Sequence, residues 1–326
     1  MFGTAMAWFV SSSLLASSSA RGLTNRFNAD SIRPLIASLF LIFLLAVGFS
    51  LLEMISRRSP SLRVLLGLPR RPSAGREWLI GVAVGWGAAL LAVLPLVLTR
   101  GLHISFWLRP RAFMLVLINI PAIAAFTLAE EMAFRGYPFR HLIRSIGPVV
   151  ATVVMSLLYG LTHVLGNGTA FRFWPSLLIS ALMGVLFSLA WLRTHGLWLP
   201  WGLHFAWNVS LGVLFGLPVS GSIDGATVVQ TNAYGSASLT GGDFGPEAAT
   251  FTIIAVLAAI VVLVRVTRDY AWHYTFEPPV AGGYPMEAKP PAAHTAMQQS
   301  APPPPALVQI LPTTPQARSV TDDPEP

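Results

Sequence analysis

The sequence predicts an all-α fold: a polytopic membrane helical bundle with seven transmembrane helices, or eight if Met1–Ala20 also spans, and a disordered Pro-rich tail. Three observations predict it. The 326 residues are 54% hydrophobic and only 11% charged, whereas a soluble domain carries roughly 25% charged residues. Apolar runs of about 20 residues, the length that crosses a hydrocarbon core, recur along the chain. The formal charge of +7 is almost wholly arginine, with one lysine at Lys289, and the arginines gather in short segments between the apolar runs. That placement is the topology bias of membrane proteins, so no nucleic-acid partner is expected. The absence of cysteine excludes disulfides, thiolate nucleophiles and Cys-ligated zinc.

Residues 1–33 form an N-terminal segment. Met1–Ala20 is rich in Ser and Ala and has no basic residue before its apolar part, which argues against a cleaved signal peptide; an extra span and an interfacial segment both remain open. Residues 34–112 hold two accessory transmembrane helices, Pro34–Ile55 and Trp78–Leu98, the second with a Gly81-x-x-x-Gly85 pattern that marks close helix packing. Between them lie six arginines (Arg57, Arg58, Arg63, Arg70, Arg71, Arg76) against one acid, Glu77, which assigns that loop to the cytoplasm.

Residues 113–217 are expected to be the functional core. Phe113 to about Tyr137 is the third span, with a kink expected at Pro121; Tyr137–Gly147 reads as a short interfacial piece; Pro148–Leu165, Trp174–Leu192 and Leu197–Leu217 follow as spans. Pro200 falls in a first helical turn, where proline is tolerated. Residues 218–247 lack Lys and Arg and form an extracytoplasmic loop, 248–266 hold the last transmembrane helix, and 267–326 form the disordered cytoplasmic tail with its Pro302–Pro305 run.

Ionisable groups at membrane depth are costly and persist where they are paired or do chemistry. Glu130 and Glu131 end the third apolar run, and Arg135, four residues on, shares a helical face with Glu131. Glu130 points about 100° away and gains no local partner. Tyr159 and His163 share a face of the fourth span, and His204 and Asn208 a face of the sixth. A single His or Asn in a membrane helix is ordinarily an interhelical hydrogen-bond partner, worth about 0.6–2 kcal/mol. The set as a whole supplies a base, a group to position water and oxyanion donors, the parts that amide hydrolysis needs. Asn119 lies near the Glu130 face and is expected to bond a neighbouring helix; His103, His141 and His195 lie in loops and are expected to be solvated. No His-Glu-x-x-His, Gly-x-Ser-x-Gly or phosphate-loop motif is present.

Glu130-Glu-x-x-x-Arg135, then aromatic-x-x-x-His163, then His204-x-x-x-Asn208 resembles the CPBP intramembrane protease family, which includes the type II CAAX prenyl endopeptidases and abortive-infection-like proteins. Gly184–Asn208, with its Arg-Thr-x-Gly-Leu-Trp-x-Pro turn, is similar to the family's third conserved region. The resemblance covers residues 113–215; Tyr159 stands where the family usually has phenylalanine. It implies an all-helical CAAX-endopeptidase-like protease, glutamate-dependent or a metalloprotease. Glu130 would activate water, His163 would hold it, His204 and Asn208 would stabilise the oxyanion, and Glu131 and Arg135 would fix the helix and the local field. The glutamate-dependent reading needs no ion. If a metal is present, zinc would take Glu130, His163 and His204 with an open fourth position. The expected partners are the lipid bilayer and a peptide or membrane-protein substrate, in a bacterial plasma membrane.

Two other classes remain. A non-catalytic protein for bacteriocin immunity or scaffolding would keep the fold without the chemistry. A proton-coupled transporter would show internal repeats with matched broken helices, and none is seen. His163 and His204 fall at different heights in straight spans, so the fourth span must be displaced or tilted to bring His163 to Glu130.

Overall fold

The first 55 residues fold back on themselves as two helices in the computed structural model, which describes residues 1–55, 61–166, 173–222 and 228–268. Met1–Ala20 lies within α1 (Phe2–Arg26), and α2 (Arg33–Ile55) returns along it. Trp8 Nε1 donates to Leu44 O at 2.9 Å and Arg33 Nε to Thr24 Oγ1 at 3.0 Å. The indole fills the space that Gly48 leaves, since a Cβ there would lie 1.9 Å from Trp8 Nε1. After the single turn α3 (Leu62–Leu65) come α4 (Ala74–Leu98), α5 (Pro110–Glu131) and a π-helical turn at Met132–Gly136. Then follow α6 (Tyr137–Gly166), α7 (Phe173–Thr194), α8 (Trp198–Val209), a second π-helical turn at Ser210–Leu214, the single turn α9 (Ala237–Thr240) and α10 (Thr252–Val266).

The expected seven or eight spans are not found. Among the described residues four helices are long and apolar enough to cross a membrane: Asp30–Ile55, Ala74–Leu98, Pro110–Leu165 and Phe173–Thr194. The expected third and fourth spans belong to one 56-residue helical run, Pro110–Leu165. The expected sixth and seventh shrink to helices of 12 and 15 residues. Counting apolar runs overcounts because a short helix buried among others is as apolar as a spanning one. The four helices place the protein in a membrane.

Pro121 sits inside α5, and a π turn follows the helix at Met132–Gly136. Within residues 137–147, Tyr137, Phe139, Leu142 and Ile143 are buried in the protein. The break in the long run is at Gly147, whose φ of 79° is open to glycine.

A two-stranded antiparallel ribbon, absent from the expected all-α fold, joins the segment between α4 and α5 to the loop expected at 218–247. β1 (Leu102–Phe106) pairs with β2 (Val229–Ala233), with Ile104 opposite Thr231. The tail beyond Arg268, with its proline run, lies outside the described residues, as do Arg57 and Arg58.

The contact that most constrains the site is α4 against α8. A Cβ at Gly81 would lie 2.2 Å from Leu199 O, one at Gly85 2.3 Å from Leu203 O, and one at Gly202 2.2 Å from Trp78 O. The Gly81/Gly85 pattern thus lets two backbones touch. At the α7–α8 turn, Arg71 donates to Thr194 O at 2.7 Å and pairs with the fully buried Glu77, while Trp198 Nε1 donates to Pro69 O at 3.0 Å. These bonds fix where α8 starts, and hence where its polar residues lie.

Candidate active site

α5 ends on Glu130 and Glu131, and the helical period sends the two side chains different ways. Glu131 turns into the protein. It and Arg135 are fully buried, 3.4 Å apart, and Arg135 also donates to Gly184 O at 3.1 Å. The guanidinium carbon lies 4.5 Å from the Tyr159 ring centre and 5.1 Å from that of Phe187, so aromatic faces as well as Glu131 compensate the buried cation. Glu131 Oε1 accepts a second bond, from His204 Nδ1 at 2.8 Å. The sequence assigned Glu131 only to its local partner; it also orients a site imidazole, whose ring stacks on Phe187 at 4.6 Å.

Glu130 turns the other way. Its Oε1 lies 3.8 Å from His163 Nε2 and its Oε2 3.6 Å from His204 Nε2. Both separations exceed a direct hydrogen bond, and Oε2 is buried without a hydrogen-bond partner in the protein. His163 Nδ1 donates to Tyr159 O at 2.9 Å. A carbonyl only accepts, so a hydrogen is on Nδ1, and the other ring nitrogen, Nε2, is the one that faces Glu130. The Tyr159 hydroxyl is 3.4 Å from His204 Nε2. The structure therefore brings His163 to Glu130 despite their heights in sequence.

Glu130, Tyr159, His163, His204 and Asn208 all line one cavity of about 890 Å³. Asn119, expected as an interhelical partner, lines it too. Sequence reasoning missed several walls: Ser13 and Ser17 of α1, Ser38 of α2, Gln230–Asn232 of β2, and Glu247. Glu247 accepts from Trp207 Nε1 at 2.6 Å, from Ser220 Oγ at 2.8 Å and from the Ser220 amide, fastening the 218–222 turn beside the cavity. Those partners lie 40 and 27 residues away, so no local pattern announced them.

Two histidines expected to be solvated are not. His141 lies 3.7 Å from Glu53 in a partly buried contact. His195, in the α7–α8 turn with φ 49°, has its pKa lowered to about 4 by burial and by the Arg71 charge. His103 is exposed on β1.

Among the described residues no group of three or more His, Cys, Asp or Glu side chains is placed to hold a metal ion.

Residues 107–210 match the family model for the type II CAAX prenyl endopeptidases, Rce1-like. This segment is a CPBP-family domain. It carries all three polar pairs, from the α5 carboxylates to Asn208, while α1, α2, α4, both strands and α10 lie outside the match. No curated protein and no solved structure matches the chain. In the CPBP domain the buried Glu–His cluster is a catalytic-like arrangement, with carboxylate, imidazoles and carboxamide opening on one cavity.

Proposed function

We propose that the protein is an intramembrane endopeptidase of the CPBP type that hydrolyses a peptide bond with a water activated by Glu130. One observation carries the reading: a carboxylate with a buried oxygen free of protein donors faces two imidazoles across gaps of 3.6–3.8 Å in a cavity among apolar helices. Polar groups at such separations are spanned by a bridging water. One such water donates to Glu130 Oε1 and bonds His163 Nε2, with a lone pair directed into the cavity.

Glu130 takes the proton as the water oxygen adds to the scissile carbonyl. The carbonyl oxygen becomes the oxyanion on the His204–Asn208 side. Collapse breaks the C–N bond, and Glu130 passes the proton to the departing amine. Glu131 and Arg135 stay outside the chemistry and hold the His204 ring.

The test is cleavage of an internally quenched peptide library by purified full-length protein. Glu130→Gln and His163→Ala should lose cleavage by at least about 10²-fold, the scale for removing a general base, with unchanged melting behaviour. If wild type and Glu130→Gln cleave equally or not at all, the non-catalytic immunity or scaffold reading takes its place.

A further inference from the structure

The oxyanion side of the chemistry just described has one hydroxyl group beside it that has not yet been given a role. His204 Nδ1 bonds Glu131 Oε1, a carboxylate that only accepts, so a hydrogen is on Nδ1. With Nδ1 committed to Glu131, only Nε2 of His204 is directed toward Glu130 and the cavity. Asn208 lines the same cavity.

The nearest hydroxyl is that of Tyr159, 3.4 Å from His204 Nε2, on a ring that is 3% exposed and lines the same cavity. The ring is held on several sides: Arg135 over its face, Phe134 edge-on at 5.2 Å, Phe187 edge-on at 5.9 Å and His163 at 4.1 Å. A phenol fixed in this way has its oxygen position set before substrate arrives, which is what makes a donor effective.

We infer that Tyr159 is a catalytic residue that donates its O–H to the tetrahedral oxyanion, a role a phenylalanine cannot fill. In the resting site the hydroxyl lies 3.4 Å from His204 Nε2. When the carbonyl oxygen gains charge, the O–H turns to it, and no proton is transferred. The charged and titratable groups around this pair are Glu130 and Glu131 from α5, Arg135 from the π turn, His163 from α6, and Glu247 from the loop before α10. The inference rests on the endopeptidase reading.

The experiment compares full-length wild type, Tyr159→Phe and Glu130→Gln on a quenched random-peptide library, and on a phosphinic pseudopeptide copying the sequence wild type cleaves fastest. The phenylalanine variant keeps every ring contact. Its kcat should fall about 10²-fold, the cost of one oxyanion donor, with KM within about twofold. Its affinity for the tetrahedral phosphinate should fall by the same factor as kcat/KM. Unchanged kcat overturns the inference, and so does a loss confined to KM. Should Tyr159→Phe fail to fold, fluorotyrosine placed at 159 changes the donor strength while keeping the ring; an unchanged kcat there overturns the inference equally. Cleavage that survives Glu130→Gln overturns the endopeptidase reading instead, so the two failures are distinct.

Discussion

Gly85→Ala should damage catalysis far more than it damages the fold. The added methyl would lie 2.3 Å from Leu203 O and 3.0 Å from Leu203 C, both backbone atoms that no rotamer change can move. The shortest ordinary C–H···O contact is about 3.3 Å, so α8 must retreat by about 1 Å. The next residue is His204, held to Glu131 at 2.8 Å; a shift of that size stretches the bond beyond useful range. Misplacing a reacting group by 1 Å costs on the order of 10² in rate. The stability penalty is smaller, because overpacking of about 1–3 kcal/mol is partly offset by the roughly 1 kcal/mol by which alanine favours a helix over glycine. Gly87→Ala is the internal control: it lies on the same helix, and nothing stands within 4 Å of its Cβ. Peptide cleavage and melting temperature in detergent should therefore separate the two variants, Gly85→Ala being slow but folded and Gly87→Ala normal or slightly more stable. If both turn over at the wild-type rate, the α4–α8 backbone contact does not position the site and the reasoning is wrong.

Two further outcomes are expected. Arg135→Ala should cost about 3–5 kcal/mol, because it leaves Glu131 buried beside an uncharged neighbour; Arg135→Lys should recover little, since a point charge cannot serve both Glu131 Oε1 and Gly184 O while lying on the Tyr159 ring. Denaturant titration of the purified protein reads both, and full recovery by lysine would refute the two-acceptor geometry. His195 supplies a pH effect. Its folded pKa of about 4 lies below the usual 6.5, so the unfolded chain binds the proton first. Stability from this group is therefore complete above pH 6.5 and is lost as pH falls toward 4, by an amount on the order of 2–3 kcal/mol. His195→Asn keeps a residue that tolerates the positive φ and removes the titration, so its melting temperature should fall less than wild type over that window. Parallel curves would refute the assignment.

The three polar pairs were legible because each lies at i,i+4 on one helix, a spacing that sequence reports directly. Their meeting was not. Glu131 and His204 are 73 residues apart, and the only signal for Glu131 was its neighbour Arg135. The span count failed for a related reason. Hydropathy measures how apolar a run is, while spanning also requires length, and α8 and α10 are apolar but short. The ribbon was equally hidden, since each five-residue strand finds its pairing partner more than a hundred residues away.

Two π turns flank the helices that carry the site. One follows directly on Glu130 and Glu131, at Met132–Gly136, and the other begins two residues after Asn208, at Ser210–Leu214. A π turn inserts extra backbone into a helix and breaks its 3.6-residue phase, so residues beyond it no longer face where an α-helix would put them. Such turns cost regular hydrogen bonding and recur at functional sites. Here they stand at the ends of the two helices that carry the carboxylates and the His–Asn pair, and every residue of the first is buried, Arg135 among them. The first turn sets Arg135 where it reaches Gly184 O and the Tyr159 face as well as Glu131, which leaves Glu131 able to hold His204. The irregularity is thus part of how one glutamate is neutralised and orienting while its neighbour faces the cavity. Neither turn has a proline or a glycine pair to announce it, and so the backbone feature closest to the chemistry is the one that the sequence concealed.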